Sequence, residues 1–538
     1  MPLRLVRRTL AVLLAFRALL LVARTEVPAE SWREDLAVFQ RELPRVHKNL
    51  FHSMTREDFD DSVARLAARA GELDDDSIVV ALARIVARVG DGHTHIDFSD
   101  PALGFHVLPL RLTIYPDGLY VDAAAREYAG LVGRRLTRIG SVTASEALER
   151  AGQITPADND SGRKAHVTLT LIIPELLHGL GVTATASSVD LTVEGGRTME
   201  VKPRRFLDQE TVEVVDALEA LRTAPLYLKE FAPGLPRRAM KNFWYEYLPA
   251  SRVLYVQFNA VYWSDDGSPG SFFGKLLEFA DRNPVEKLVI DVRQNGGGNN
   301  TLILPIIHGI IKRDALNQRG KLFAIIGRQT FSAAQNFVNH LQKHTNVLFA
   351  GEPSGGSPNH FGDPRPVKLP RRGLTVFVST LWWQDLAPTD TRAATLPDIA
   401  VNLTPDDYRL GRDPVLDTLI SWKTLTARVS SALDSGIGAA EAEYRAFKDD
   451  PRHRSLDTQD ETNRLAYSLQ QQSRLDDALT LFRWNAASYP QASEPYDGMA
   501  EVLLAKGDRA GALASYEKSL QLNPRNFWVR RRVAELSK

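Results

Sequence analysis

The sequence predicts an α/β protein in which a core of alternating strands and helices follows an N-terminal helical subdomain and a small β-rich segment and precedes an all-α region. Three observations carry that reading. Short apolar runs at 252–258, 287–291, 322–326 and 347–350 are separated by helical patterns, the alternation of an α/β core. Before them Leu36, Phe39, Leu43 and Val46, then Val63 and Leu66, then Ile78, Leu82, Ile85 and Val86 recur at three- and four-residue intervals, as on amphipathic helices. After them Ala478 and Ala512, Phe482 and Tyr516, and Pro490 and Pro524 are each 34 residues apart.

Each element follows in order along a chain of 538 residues, too long for one core at roughly 100–200 residues per domain. Arg4, Arg7 and Arg8 precede an apolar stretch over 10–23, with small residues near Val27-Pro28-Ala29. This is the pattern of a secretory signal, and Arg17 divides it into halves too short for a bilayer's ~20-residue span. Residues 1–29 are therefore expected to be a signal peptide and the protein to be exported, with membrane contact only through an uncleaved N-terminus. Residues 30–98 form the helical subdomain. Residues 99–235 are expected to be mixed β, because 108–114 and 118–122 alternate in short runs between Gly and Pro. The core is expected over 236–425. Residues 426–538 hold linker helices and repeats whose 34-residue period is that of tetratricopeptide repeats, with 526–538 as a terminal helix.

Composition excludes several chemistries. There is no Cys, which removes disulfides, thiolate metal sites and cysteine nucleophiles. Lys and Arg balance Asp and Glu at 66 each, so no electrostatic argument favours nucleic acid. No cofactor or metal is indicated.

The chemistry concentrates in three short segments. Gly90-Asp91-Gly92-His93-Thr94-His95 places a His on a turn between a helical and a strand-like pattern, where it can act as a base. In Asp291-Val-Arg293-Gln-Asn295-Gly296-Gly297-Gly298 an apolar run meets three glycines, whose amides can face a developing oxyanion; an ordinary tight turn is the simpler explanation. In Thr330-Phe331-Ser332-Ala333-Ala334 a Ser stands at a helix start. Its hydroxyl is there either a nucleophile on the positive end of the dipole or an N-cap.

In this order the segments, with Gly351-Glu-Pro-Ser-Gly-Gly-Ser-Pro358 after them, resemble the tail-specific (C-terminal processing) protease family, and in particular its tricorn-core branch. The resemblance implies a crotonase-like β/α superhelix, Ser332 as nucleophile, His93 as general base, and the backbone amides of Gly297 or Gly298 and of Ala333 as oxyanion hole. It implies a peptide or protein substrate. Two departures qualify it. The Lys of a Ser–Lys dyad has no counterpart, and the acid that arranges the site in the tricorn-like branch is assigned to Asp390, with Asp385 behind it and His360 as a competing base. A PDZ-like module is suggested by 131–140. The competing reading is a non-catalytic scaffold that binds a ligand or a protein partner, the repeats offering a groove for the latter.

Overall fold

The computed structural model describes residues 28–206, 214–217, 241–265 and 267–538. The expected signal peptide thus falls, through residue 27, outside the described residues, and so does the expected boundary at 235–236. Among the described residues no helix is long and apolar enough to cross a membrane.

Three helices open the chain: α1 (Ala29–Val46), α2 (Arg56–Arg69) and α3 (Asp75–Ala87). Thr55 caps α2 by accepting from Asp58 N, and Asp74 caps α3 by accepting from Ser77 N, which satisfies amides that the first turn leaves free. Their apolar faces meet in one core, with Trp32, Phe39, Phe59 and Leu82 at its centre. The chain then gives β1 (His95–Ile96), β2 (His106–Val107), β3 (Leu110–Tyr115), β4 (Gly118–Ala125), β5 (Leu136–Ile139) and β6 (Val142–Thr143). Next come α4 (Ala144–Gly152), α5 (Asp160–Thr170), α6 (Pro174–Gly179), β7 (Val189–Val193), β8 (Thr198–Val201), β9 (Arg204–Arg205) and β10 (Val214–Asp216). The segment read as mixed β therefore carries three helices. Thr143 and Asn159 start two of them as N-caps, accepting from Glu146 N and Gly162 N, a local signal that the β-like runs on either side obscure. Its strands form sheets ordered β10-β4-β3 and β6-β5-β7-β8.

The core follows: β11 (Phe243–Leu248), β12 (Val253–Phe258), α7 (Pro269–Arg282), β13 (Lys287–Asp291), α8 (Leu304–Ile311), β14 (Leu322–Ile326), α9 (Ala333–His344) and β15 (Leu348–Gly351). The hairpin β16 (Asn359–Lys368) and β17 (Thr375–Gln384) and the short β18 (Ile399–Ala400) complete it. One six-stranded sheet is ordered β11-β12-β13-β14-β15-β18, antiparallel only between β11 and β12. Each parallel step from β12 to β15 passes through a helix, as parallel neighbours require. Strands β12 to β15 are buried almost throughout because both faces are covered. One face packs on Phe273, Leu277, Ile306 and Phe337 of α7, α8 and α9. The other, with Tyr255, Val289 and Phe323, packs on helices beyond the core, beginning with Trp422.

The helices after the sheet are α10 (Pro405–Arg409), whose Tyr408 packs with Tyr115 instead, α11 (Pro414–Ser421), α12 (Leu425–Ala432), α13 (Ile437–Asp449), α14 (Gln459–Gln471), α15 (Leu475–Ser488), α16 (Glu494–Ala505), α17 (Arg509–Leu522) and α18 (Phe527–Leu536). Helices α15 and α17 have 14 residues each, and their starts repeat the 34-residue spacing. Phe482 and Tyr516 are fully buried. A Cβ on Gly498 would stand 2.3 Å from the Phe482 ring, so the close approach of α16 to α15 requires glycine there. Asn526 caps α18 by accepting from Val529 N, giving the expected terminal helix.

The helices are fastened to the sheet by Lys287, whose Nζ donates to the carbonyls of Leu419, Ile420 and Trp422 at 2.8, 2.8 and 2.9 Å. These are carbonyls at the end of α11, where a cation complements the dipole. Replacing Lys287 by Met keeps the chain volume and removes all three bonds. The expected loss is roughly 1–3 kcal/mol of stability, measured by chemical denaturation; an unchanged midpoint would remove Lys287 from the account.

Candidate active site

Ser332 occupies the turn from β14 into α9, with φ 54° and ψ −128°. A non-glycine residue in this region costs of order 1–3 kcal/mol and persists only where its surroundings fix it. They do so from both sides. Thr330 Oγ1 donates to Val292 O at 2.8 Å and accepts from Gly327 N at 3.0 Å. Phe331 N donates to Asn295 O, and Gly355 N and Gly356 N both donate to Thr330 O. The Ser332 side chain caps nothing, so the N-cap explanation of its position does not hold.

The glycine loop lies against this turn. A Cβ on Gly297, where φ is +109°, would stand 2.6 Å from Ser332 Cβ and 2.9 Å from Ala333 N; only glycine fits. The expectation for its amide is corrected, because Gly297 N donates to Asn295 Oδ1 at 2.9 Å in a local turn of the kind Asn forms. Among the described residues Gly298 N and Ala333 N make no hydrogen bond, which leaves them as the free donors. Asn295 is itself fixed, Nδ2 donating to Phe258 O at 2.9 Å.

Two residues before Asn295 the partly buried Arg293 donates to both oxygens of Asp413, at 3.1 and 2.8 Å, and to Asp291. The carboxylates hold its guanidinium well above the ordinary range, although burial acts against its charge. Asp413 also caps α11, Oδ1 accepting from Val415 N and Leu416 N.

His93 enters from the N-terminal subdomain. Strand β1 pairs with β17, His95 opposite Phe377, which carries the His turn onto the core. Asp91 fixes the turn: Oδ1 accepts from His93 N, Thr94 N and Ser379 Oγ at 2.9, 2.7 and 2.7 Å, and Oδ2 meets His47 Nε2 at 2.8 Å. His47 Nδ1 accepts from Asn49 N, so Nε2 carries the proton and His47 donates as a neutral ring. Burial raises the Asp91 carboxyl, but these donors, His47 foremost, bring it down to about 2.

The His93 ring stacks on Phe331 at 4.3 Å, which places it beside the residue that precedes Ser332. Gly92 is required here, since a Cβ would stand 2.8 Å from the Phe331 ring. No hydrogen bond joins Ser332 to His93, whose Nδ1 is buried without a partner. Burial, and after it the neighbouring His360, pushes the His93 imidazole down to about 3, so the ring is neutral.

The structure therefore brings together Ser332, Ala333, Gly297, Gly298 and His93, and does not bring Asp390 to them. Its carboxylate binds Arg392, at 2.9 Å to Nε and 2.7 Å to Nη2, and Arg392 holds it below the usual range. An ion pair two residues away has taken the role assigned to the site. Asp385 accepts from Asn336 Nδ2 and Asn339 Nδ2 of α9 at 2.6 and 3.2 Å, supporting the helix that follows Ser332. His360 lies parallel to His93 at 5.8 Å, with Nδ1 bonded to Ser357 O. Asp158 went unnoticed in the sequence. It accepts from Gly92 N and Ser357 N at 2.7 and 3.1 Å, joining the His turn to the loop after β15, and burial raises its carboxyl. Among the described residues no three metal-ligating side chains cluster.

Residues 252–401 match Peptidase family S41, a stretch that runs from β12 to β18 and holds Ser332 and the glycine loop. His93 lies outside it. No curated protein matches the chain. Among solved structures, a point mutant of CPAF aligns with TM-score 0.50 and 14% identity over 74% of this chain and 99% of that one. Mature CPAF gives 0.49 and 15% over 73% and 98%, and the tricorn protease 0.32 and 15% over 73% and 36%. The likeness to the CPAF mutant is one of fold.

Two outcomes are expected. Asp413→Asn keeps a good N-cap for α11 but removes the charge facing Arg293. Turnover should fall by at least about tenfold with KM little changed, since the loss acts through the glycine loop, while Asp413→Glu restores part of it; a turnover equal to wild type would disconnect Arg293 from the loop. The second outcome concerns acid. The folded His93 sits near 3 and the unfolded one near 6.5, so between these pH values the unfolded chain binds a proton that the folded one refuses. Stability should therefore fall as pH drops through this window. His93→Gln should lose less than wild type between pH 7.5 and 4.5 by urea denaturation, and equal losses would show that His93 is not held neutral.

Proposed function

We propose that the protein is a serine-type peptidase of the tail-specific kind, with Ser332 as nucleophile and His93 as general base. The observation that carries this reading is the strained φ of Ser332 at a helix start, with its hydroxyl capping nothing and two free amides beside it. Ser332 attacks a peptide carbonyl while His93 takes its proton. The His93 Nδ1 is without a partner in the free protein and is the nitrogen assigned to act as base. Gly298 N and Ala333 N receive the oxyanion, and protonated His93 then serves the leaving amine. Substrate must draw Ser332 and His93 into hydrogen-bond contact, as catalytic pairs that are loose in the free enzyme do. Asp158 and Asp91 position the His turn through its backbone amides. The finer reading includes a crotonase-like core, a PDZ-like sheet of β5 to β8, export, and tetratricopeptide-like pairs from α14 onward that take a protein partner.

A second reading, a protease-like scaffold without catalysis, is favoured by the missing Ser332–His93 hydrogen bond. Labelling with a fluorophosphonate probe and intact-mass analysis separates the two. Wild type should gain one adduct and Ser332→Ala none, and His93→Gln should react at least about a hundredfold more slowly. Because His93 is neutral above about pH 3, the wild-type rate should be nearly flat from pH 5 to 8. A rate that instead drops below about pH 6.5, the ordinary His value, would point to another base, and two folded but unlabelled proteins would favour the scaffold.

A further inference from the structure

Beyond His93 a cavity of about 550 Å³ opens, lined by His52, His360, Phe361 and Trp382 with Lys48 and Asp158 among its other walls. It adjoins the site through a stack of rings: Phe331 to His93 at 4.3 Å, then His93 to His360 at 5.8 Å. We propose that this cavity receives an aromatic side chain of the peptide substrate, with Tyr or Trp preferred, a specificity that rests on the peptidase reading above.

The walls argue for an aromatic occupant. His52 lies 4.5 Å from the Phe361 ring and Trp382 lies 4.6 Å from it, so three rings pack together along one wall, a surface that favours offset or edge-on aromatic partners. Trp382 remains 42% exposed, leaving indole surface available to an incoming ring. The carboxylates give no competing demand for a cation. Both oxygens of Asp158 accept from backbone amides, and Asp91 already holds four donors.

The remaining polar atoms narrow the class further. His360 Nδ1 is bonded to Ser357 O and His52 Nδ1 to Asn49 O. A carbonyl partner requires the proton on Nδ1, so Nε2 is the nitrogen of each ring that the backbone leaves unused. Two such ring nitrogens in an aromatic-walled cavity suit a ring that ends in a polar O–H or N–H. Lys48 on the wall supplies a donor for a carbonyl oxygen of the backbone that carries the ring.

The test has two arms. In the first, a set of peptides identical except for one position, occupied by Ala, Phe, Tyr or Trp, is scanned along the sequence for cleavage by wild type. At one position Tyr and Trp should exceed Ala in kcat/KM by at least about tenfold, the scale on which a pocket discriminates, and Trp382→Ala should abolish the difference while Trp382→Phe restores much of it. A flat series, or one in which Phe equals Tyr, overturns the proposal. In the second arm, binding of N-acetyltyrosinamide and N-acetylalaninamide to Ser332→Ala is read by saturation-transfer NMR. Signal from the tyrosine probe alone, lost in the Ser332→Ala/Trp382→Ala double variant, supports the cavity assignment even if no peptide is cleaved, a result that would sink only the peptidase reading. Equal signals from both probes, or none from either, overturn the assignment.

Discussion

The site depends on the Asp91 carboxylate. Its two oxygens gather the backbone amides of His93 and Thr94, the Ser379 hydroxyl and the His47 imidazole. These donors come from the His turn itself, from the end of the first helix and from a hairpin strand of the core. A buried charge is tolerated only where its hydrogen-bonding capacity is filled, so the carboxylate requires all three pieces to be in place. The position of His93 thus follows from an electrostatic need rather than from the two-residue strand β1, which alone would hold little.

A comparable need fixes the opposite side of the cleft. Ser332 sits in a conformation that L-residues avoid, and the strain is held by Thr330, by the backbone of Asn295 and by Gly355 and Gly356. Gly355 can approach only because it lacks a side chain, a Cβ there falling 2.0 Å from Arg328 O. The three loops concerned all leave the carboxyl ends of the parallel strands β13, β14 and β15, the edge at which open α/β sheets place their ligands. Asp158 then ties the loop after β15 to Gly92, closing the circuit from the Ser332 turn back to His93.

How much of this was legible depended on the sequence separation of the partners. The strands of the core, the helices before it and the 34-residue repeat were legible because period and spacing are local properties. Ser332, His93 and the glycines were legible because each stands in a short run of unusual composition. The groups that hold them are distant: His47 is 44 residues from Asp91, Ser379 is 288, and Asp413 is 120 from Arg293. Such pairings are a product of topology and leave no local pattern. Two partners were nevertheless local: Asn295, two residues before Gly297, takes that glycine's amide, and Arg392, two residues after Asp390, binds that carboxylate.

The helical region after the core is part of the same argument. Strand β13 is gripped at its start by Lys287, which binds carbonyls at the end of α11, and just past its end by Arg293, which binds the residue that begins α11. One helix thus spans the strand that delivers the glycine loop, and Trp422 beyond it packs edge-on against Phe323 of β14, the strand that delivers Ser332. Because the sheet face under these contacts is apolar and continuous with the repeats, separating the helices from the core would expose it to water at about 25 cal/mol per Å². The helical array therefore packs on the two strands from whose ends the glycine loop and the Ser332 turn leave, and the contacts that bury its apolar face also hold those strands at their ends.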